Sequence, residues 1–236
     1  VGGKITSNRL DGIKGTHGNG LSVYSYSSDV VIERNNLTMC GSPITYEYSS
    51  NLTFRNNFVD CKYGQVDQWG GVYGPIYWLN NTLVNSDRNA SSAQNHFALN
   101  VRPAINGSSA HIYGNILDGI GGWGNYPLEQ SNVYRGLNIW LGTNSGYSGI
   151  RMTNGETMNT NYTQVFVSHV GEDYRPLLSG TAYNMVTNLS GYGYTDDVVG
   201  YVRPRWNVGA YEYQSGGGAS TYQGFSFGSG VRLIGP

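Results

Sequence analysis

Charge is scarce in this sequence. Asp, Glu, Lys and Arg together make up 12% of 236 residues, and 14 basic side chains offset 15 acidic ones. A balance so near neutrality leaves no basic stripe to displace counterions around phosphates, which removes the electrostatic case for nucleic acid. It also argues against disorder, which needs high net charge together with low hydrophobicity. Lysine occurs only as Lys4, Lys14 and Lys62. The two cysteines, Cys40 and Cys61, are too few for a disulfide scaffold or a closed zinc site. No uninterrupted apolar stretch is long enough to read as a membrane-spanning helix. The chain begins at Val1 with neither Met nor an export signal, which reads as a processed or trimmed form.

What is present is turn chemistry. Glycine, at 35 residues, is about twice its usual share, and asparagine is abundant. The length suits one large domain or two small ones with a sizeable core. The class these features leave is β-rich and turn-dense. Seven Asn-x-Ser/Thr sequons begin at Asn36, Asn51, Asn80, Asn89, Asn106, Asn161 and Asn188, a modest excess that leans toward an extracellular setting.

One pattern recurs along the chain: an apolar residue, two others, Asn, one more, then another apolar residue. It reads Ile5-Thr6-Ser7-Asn8-Arg9-Leu10 and Ile32-Glu33-Arg34-Asn35-Asn36-Leu37. It returns as Phe54-Arg55-Asn56-Asn57-Phe58-Val59, Trp78-Leu79-Asn80-Asn81-Thr82-Leu83 and Ile112-Tyr113-Gly114-Asn115-Ile116-Leu117. The Asn-to-Asn spacings are 27, 22, 24 and 34, a basic period near 22 with insertions. A second short strand with period-two alternation accompanies most copies, as in Leu21-Ser22-Val23, Ile44-Thr45-Tyr46, Phe97-Ala98-Leu99 and Leu137-Asn138-Ile139. Short strands and Asn/Gly/Ser turns at this period describe the coils of a parallel β-helix, with equivalent residues about 4.8 Å apart in successive coils. Asn8, Asn35, Asn57, Asn81 and Asn115 then form an inward ladder at a bend, where their amides bond one another and Asn tolerates the left-handed conformation.

Segments longer than a turn requires run from Cys61 to Pro75, Asn85 to Asn95, Gly119 to Tyr134 and Thr143 to Asn161. Long insertions in a solenoid tend to cluster on one side and to carry function. Trp69, Tyr73, Trp123 and Tyr126 on these loops offer flat faces to sugar rings, or cover the open side of the helix as a local core. Cys40 and Cys61 stand 21 residues apart, close to one coil, but a gap-free register aligns Cys61 with Met39. A disulfide and two buried thiols both stay open.

The repeat, with Ser28-Asp29-Val30-Val31-Ile32-Glu33-Arg34-Asn35-Asn36 as its clearest unit, resembles the right-handed parallel β-helix proteins of the pectate-lyase-like superfamily over roughly residues 4 to 170. A second resemblance covers about residues 172 to 213. Tyr174-Arg175-Pro176-Leu177, Asp197, Gly200 and Arg203, and Val208-Gly209-Ala210-Tyr211-Glu212-Tyr213 are similar to the C-terminal end of secreted bacterial β-helix proteins. There the last motif usually reads Asp-Ile-Gly-Ala-Tyr-Glu; here Asn207 replaces the Asp. The preceding Ser-Pro-Ala-Ile-Asp element is also altered, to Ser179-Gly180-Thr181-Ala182-Tyr183-Asn184. The resemblance implies an all-β, right-handed parallel β-helix with loop insertions and an extended C-terminal tail. It also implies an exported protein that meets polysaccharides or belongs to a cell surface. Residues 1–213 form the β-helix with its closing segment, and residues 214–236 a Gly-rich linker and tail strand.

Enzymes of that superfamily cleave acidic polysaccharides with a Lys or Arg base and carboxylate-bound calcium, or with clustered aspartates. Neither set carries over residue by residue. Asp196-Asp197 lies in the closing segment rather than in the repeats. The turn Thr16-His17-Gly18-Asn19-Gly20-Leu21-Ser22 looks like the Gly-His-Gly-x-Ser turn of polygalacturonases, but the partner aspartate motifs are absent and His17 reads as a turn residue. What remains is a weak constellation of His17, Asp67, His96, Arg102 and Arg135 at related coil positions. Such a set abstracts a proton beside a carboxylate, or is simply a solvated wall. His111 and His169 read as packing or surface residues. No metal site is assigned and no cofactor is required; calcium stays open through Asp60, Asp67, Asp87 and Asp118, without a fixed loop spacing.

A solenoid exposes strand edges at its ends. Repeat sequence starts at Ile5 without an amphipathic helix before it, and Gly216-Gly217-Gly218 precedes an apolar strand candidate with Phe225, Phe227, Val231 and Leu233. Such a tail folds back as a cap or adds to a neighbouring molecule. A heterologous contact that does not close gives a filament. Two readings follow: an extracellular structural protein that partners itself head to tail, and a polysaccharide-active lyase or hydrolase, or carbohydrate-binding module, on the same fold.

Overall fold

The computed structural model describes residues 2–12, 19–38, 42–60, 66–68, 70–84, 99–100, 108–118, 120–121, 131–141, 151–168, 172–185 and 188–213. Its strands build a parallel β-solenoid. The first sheet stacks Gly3–Thr6, Val30–Glu33, Leu52–Arg55, Ile76–Leu79, Ala110–Tyr113 and Val133–Gly136 in chain order. The second stacks Arg9–Asp11, Asn36–Thr38, Phe58–Asp60, Thr82–Val84, Ile116–Leu117, Ile139–Trp140 and Thr157–Met158. The third sheet holds Asn19–Val23, Ser42–Tyr46 and Asp67–Gln68. A bridge from Val66 to Leu99 carries it on to Leu99–Asn100 and Ile120–Gly121.

Parallel register puts like on like along the axis. In the first sheet Ile5, Ile32, Phe54, Trp78, Ile112 and Arg135 form one column. In the second, Leu10, Leu37, Val59, Leu83, Leu117 and Trp140 form another. Both columns face the coil interior, where Ile44, Tyr46 and Val66 of the third side meet them. Phe54 and Trp78 stack at 4.0 Å with 6° between their planes, and Tyr46 leans on both. Rings repeated in register gain dispersion contact beyond the area they bury.

The bend between the first two sheets carries the asparagine ladder. Asn8, Asn35, Asn57, Asn81 and Asn115 donate both backbone N–H and Nδ2 to the Oδ1 of the next rung, over 2.8–3.1 Å. The ladder has a sixth asparagine, Asn138, which receives the bonds from Asn115. The second amide hydrogen of the higher rungs returns to a carbonyl of the coil below, as from Asn57 to Ile32 and from Asn81 to Phe54. The left-handed residue is not the ladder Asn but the one before it: Ser7, Arg34, Asn56, Asn80, Gly114, Leu137 and Gly155 have φ from 49° to 76°. This corrects the expected placement. The ladder side chain points inward because the preceding residue absorbs the turn.

Leu137-Asn138-Ile139, expected to be an accompanying strand, is instead this bend. The apolar slot of its repeat holds Arg135, which hides the copy in the sequence.

Outside the second sheet lies a second core. Phe58, Val84, Ile116 and Ile139 face outward and are covered by Tyr162, Val165, Phe166, Tyr174, Ala182, Val198, Val208 and Ala210. The covering segment begins with a short 3-10 turn, Tyr162–Gln164, followed by an antiparallel pair, Phe166–Ser168 with Asp173–Pro176. Residues 189–212 then cross several coils over the outside of the bend. Arg34 pairs with Asp196 at 2.8 Å, Arg55 donates to the Tyr192 carbonyl and Asn56 to the Asp196 carbonyl. Asn80 donates to the Asn207 carbonyl and accepts from the Tyr194 hydroxyl.

The end-motif residues serve this strap. Asp197 accepts from the backbone N–H of Val199, Tyr201 and Glu212. Fully buried Arg203 reaches Glu212, Asn56 and the carbonyls of Asp196, Asn207, Gly209 and Ala210. Asn207, where the resemblance expects Asp, uses both halves of its amide: Nδ2 donates to the Tyr183 carbonyl and Oδ1 accepts from Tyr213 N–H. Gly209 has φ of 93°, and a Cβ there would lie 2.6 Å from Ile116 Cδ1.

Candidate functional site

The two ends of the ladder differ chemically. At the upper end the next rung after Asn138 is Glu156, aligned by the pairing of Ile139 with Thr157. Its Oε1 accepts from Asn138 Nδ2 at 2.8 Å, and its Oε2 from Arg135 Nη1 at 2.5 Å and from Thr153 N–H. Arg135 also donates to the Arg151 carbonyl and lies over the Trp140 ring. Burial pushes the Glu156 carboxyl above its ordinary range, against the Asn138 and Arg135 bonds that favour the anion. At this end the ladder stops at a buried, hydrogen-bonded ion pair, while Val133–Gly136 and Thr157–Met158 each pair with one strand only among the described residues.

The lower end is open among the described residues. Gly3–Thr6, Arg9–Asp11 and Asn19–Val23 each pair with one strand only, on the upper side. Ile5, Leu10 and Leu21 are half-buried, whereas their partners one coil up, Ile32, Leu37 and Ile44, are wholly buried. Asn8 is exposed. Its Nδ2 bonds Asn35 and turns back to the Thr6 carbonyl, while its Oδ1 accepts no bond from a described residue.

Aromatic side chains run up the outer side near the first sheet. Tyr77, His111 and Tyr134 share a register position and stack at 4.8 and 4.9 Å. Tyr48 stacks on Tyr73 at 6.4 Å, and Tyr26 stands 83% exposed on the turn below. Desolvation lowers the His111 pKa, and its Nε2 meets the Ser109 hydroxyl at 3.1 Å. Tyr73, expected as a sugar-facing ring, is exposed, but one side of it is shared with Tyr48. Ion pairs hold the cations of this side: Lys4 and Arg55 both bind Glu33, at 2.5 and 2.6 Å.

The proposed catalytic group divides. Asp67 lies on the third sheet, its backbone paired with Thr45. His17 and His96 precede third-sheet strands in the chain and Arg102 follows one, but all three lie outside the described residues. Arg135 sits inside the coil of the first sheet, bound to Glu156, on a different sheet from Asp67. The described part of the third-sheet side carries a hydroxyl cluster: Tyr24 and Ser22 each meet Thr45 Oγ1, at 2.9 and 3.0 Å, and Asn19 donates to the Tyr24 hydroxyl.

Asp60 and Asp118 are buried on the outer face of the second sheet, where the Tyr162 hydroxyl donates to Asp118 at 2.5 Å. They share no face with Asp67, and Asp87 is outside the described residues. Burial, together with Asp60, Glu172 and Asp118, drives the neighbouring Tyr174 phenol well above its ordinary pKa. Trp69, Trp123, Tyr126, Cys40, Cys61, Phe225, Phe227, Val231 and Leu233 also lie outside the described residues.

The class that this architecture defines is a parallel β-solenoid with an outer C-terminal strap. No protein-family model matches the sequence, and no curated protein matches it.

Proposed function

We propose that this chain is an extracellular structural or surface β-helix protein that assembles head to tail through its lower coil. The observation that carries the reading is that coil: three strand edges, each with one partner among the described residues, under a core whose lowest apolar residues are half-buried. An edge of this kind recruits a further strand, and we take the apolar tail sequence that carries Phe225, Phe227, Val231 and Leu233 as the donor on a neighbouring molecule. The extracellular part rests on the C-terminal resemblance and on three sequon asparagines that are exposed, Asn51, Asn161 and Asn188. Electron microscopy of the purified chain at several concentrations tests the proposal. Filaments with a subunit repeat of about 30 Å, six or seven coils of 4.8 Å, are expected, and removal of residues 216–236 should abolish them. Monomers at every concentration refute assembly; filaments unchanged by the deletion refute the role of the tail.

A second reading, a polysaccharide-binding or polysaccharide-cleaving protein, draws on the exposed rings of Tyr26, Tyr48, Tyr73 and Tyr134 on one side of the coil. Incubation with pectin, alginate and chondroitin, followed at the absorbance of unsaturated uronides and by reducing ends, tests cleavage. Its loss on His96→Ala or Arg102→Ala would favour an enzyme over a scaffold.

A further inference from the structure

Tyr48 and Tyr73 stand on successive coils at the corner between the third and first sheets. The parallel bridge from Ser49 to Val72 lies between them. Two backbone bonds bracket it: Tyr48 N–H donates to the Gly71 carbonyl at 2.6 Å and Tyr73 N–H to the Ser49 carbonyl at 2.9 Å. The rings meet at 6.4 Å with 29° between their planes. Tyr48 is left-handed, with φ of 45°, a conformation that a bulky side chain seldom adopts. Its ring lies against Gly70, where a Cβ would stand 3.0 Å from Cε2 and Cζ. A strained turn and a residue without a side chain thus hold this ring beside Tyr73. Burial does not account for the arrangement, because the two residues are 42% and 52% exposed. Two other tyrosine pairs are in ring contact among the described residues, Tyr77 with Tyr192 at 55° and Tyr183 with Tyr213 at 79°. Each is more steeply tilted and includes at least one half-buried ring. The exposed Tyr134 has His111 for its ring neighbour.

We propose that Tyr48 and Tyr73 form a modification site, an oxidative coupling pair that hydrogen peroxide and a haem peroxidase acting from solution join into a dityrosine. Each phenol gives up one electron and one proton and becomes a phenoxyl radical, with spin on the Cε carbons beside its oxygen. A Cε of Tyr48 bonds to a Cε of Tyr73. The hydrogen on each joined carbon then moves to its own ring's oxygen, which restores both phenols. One C–C bond forms, two electrons and two protons leave, and the peroxide takes them up to become two molecules of water. Exposed side chains change rotamer within picoseconds to nanoseconds, and these rings start in contact, so the coupling is a reaction within one chain. The product closes the loop from residue 48 to residue 73 and fastens one coil to the next outside the core. A cross-link of this kind stabilises by restricting the unfolded chain. The coupling needs no second copy of the protein and is independent of the assembly proposed above.

The test treats the full chain, at several dilutions, with hydrogen peroxide and a haem peroxidase. Dityrosine fluorescence gives the yield, and mass spectrometry of a tryptic digest locates the bond. The expected product joins the peptides of residues 35–55 and 63–88 with the loss of two hydrogen atoms, and its fragments place the bond at Tyr48 and Tyr73. The yield should not change with protein concentration. Tyr48→Phe and Tyr73→Phe keep a ring in the contact and remove only the phenol. Each should lower the yield about tenfold or more, because the advantage of proximity is lost. Tyr134→Phe should leave it unchanged. The coupled chain should melt at a higher temperature than the untreated one, and the rise should be absent from Tyr73→Phe treated in the same way. Absence of dityrosine overturns the inference, as does a bond at another pair, a yield that climbs with concentration, or a yield indifferent to Tyr48→Phe. Each of these outcomes reads the same whether or not the chain forms filaments.

Discussion

At Asn57 one side chain makes four hydrogen bonds: two received from Asn35, one given to Asn81 and one to the Ile32 carbonyl. Asn57→Ala strands those partners in a site closed to water, and each unsatisfied group costs roughly 1–3 kcal/mol. Asn57→Ala should therefore lower unfolding free energy by about 3–5 kcal/mol, and Asn8→Ala, at the exposed rung, by about 1 kcal/mol. Urea unfolding of both variants measures the difference. Equal losses would mean that burial of the rung is immaterial.

Glu33 gives a pH test at the same scale. Burial alone would raise its pKa, but Lys4 and Arg55 outweigh burial and hold the carboxyl below its ordinary value. A depressed folded pKa adds stability above the unfolded value, and that stability is lost as pH falls through the folded one. The stability gap between the natural chain and Glu33→Gln should thus be present at pH 7 and close below about pH 4. Denaturant midpoints across that range check it, and a gap independent of pH would exclude the ion pairs as its source.

Among the elements, the seven bends are natural variants of one another. Five ladder rungs were legible in the sequence because Ile, Phe or Trp stands three residues before each Asn. The sixth was not, because Arg135 fills that slot, and the terminal rung is a glutamate. Arg135 shows why spacing alone misplaced a site residue: an arginine in a repeat reads as surface until its partner, here Glu156 one coil above, is known. The outer core was written more faintly. Phe58-Val59, Leu83-Val84 and Ile116-Leu117 are apolar at consecutive positions, which breaks alternation and marks strands buried on both faces. What covers them was unreadable, because the covering residues come from more than 40 positions away, as Tyr162 does on Asp118.

The bends also supply a prediction. Leu137 is left-handed with φ of 54°, a conformation that costs a non-glycine residue roughly 1–2 kcal/mol. Asparagine holds the equivalent place at Asn56 and Asn80. Leu137→Asn should stabilise the fold by about 0.5–1 kcal/mol, because relief of the strain exceeds the apolar burial that the leucine side chain provides. Thermal melts read this directly, and a lower melting temperature would show that leucine packing outweighs the strain.

For the whole molecule, the strap is as structural as the coils. Ending the chain at Ser168 would bare much of the outer face that carries Phe58, Ile116 and Ile139, an apolar strip of the kind that drives aggregation. Such a truncation should be insoluble or lose cooperative unfolding. A soluble fragment melting like the full chain would show that the coils stand alone.

The strap also fixes an order in time. Its contacts with the coils reach from Gly209 on Gly114 to Asp196 on Arg34, the latter 162 positions apart, and they land on several coils at once. Each coil can settle on its predecessor as it leaves the ribosome, its new carboxamide oxygen meeting N–H groups already waiting. The strap cannot engage until all the coils it crosses are stacked and residue 212 has emerged. Until then much of the outer apolar face of the second sheet stays bare, and that interval is when the nascent chain most needs protection from its neighbours.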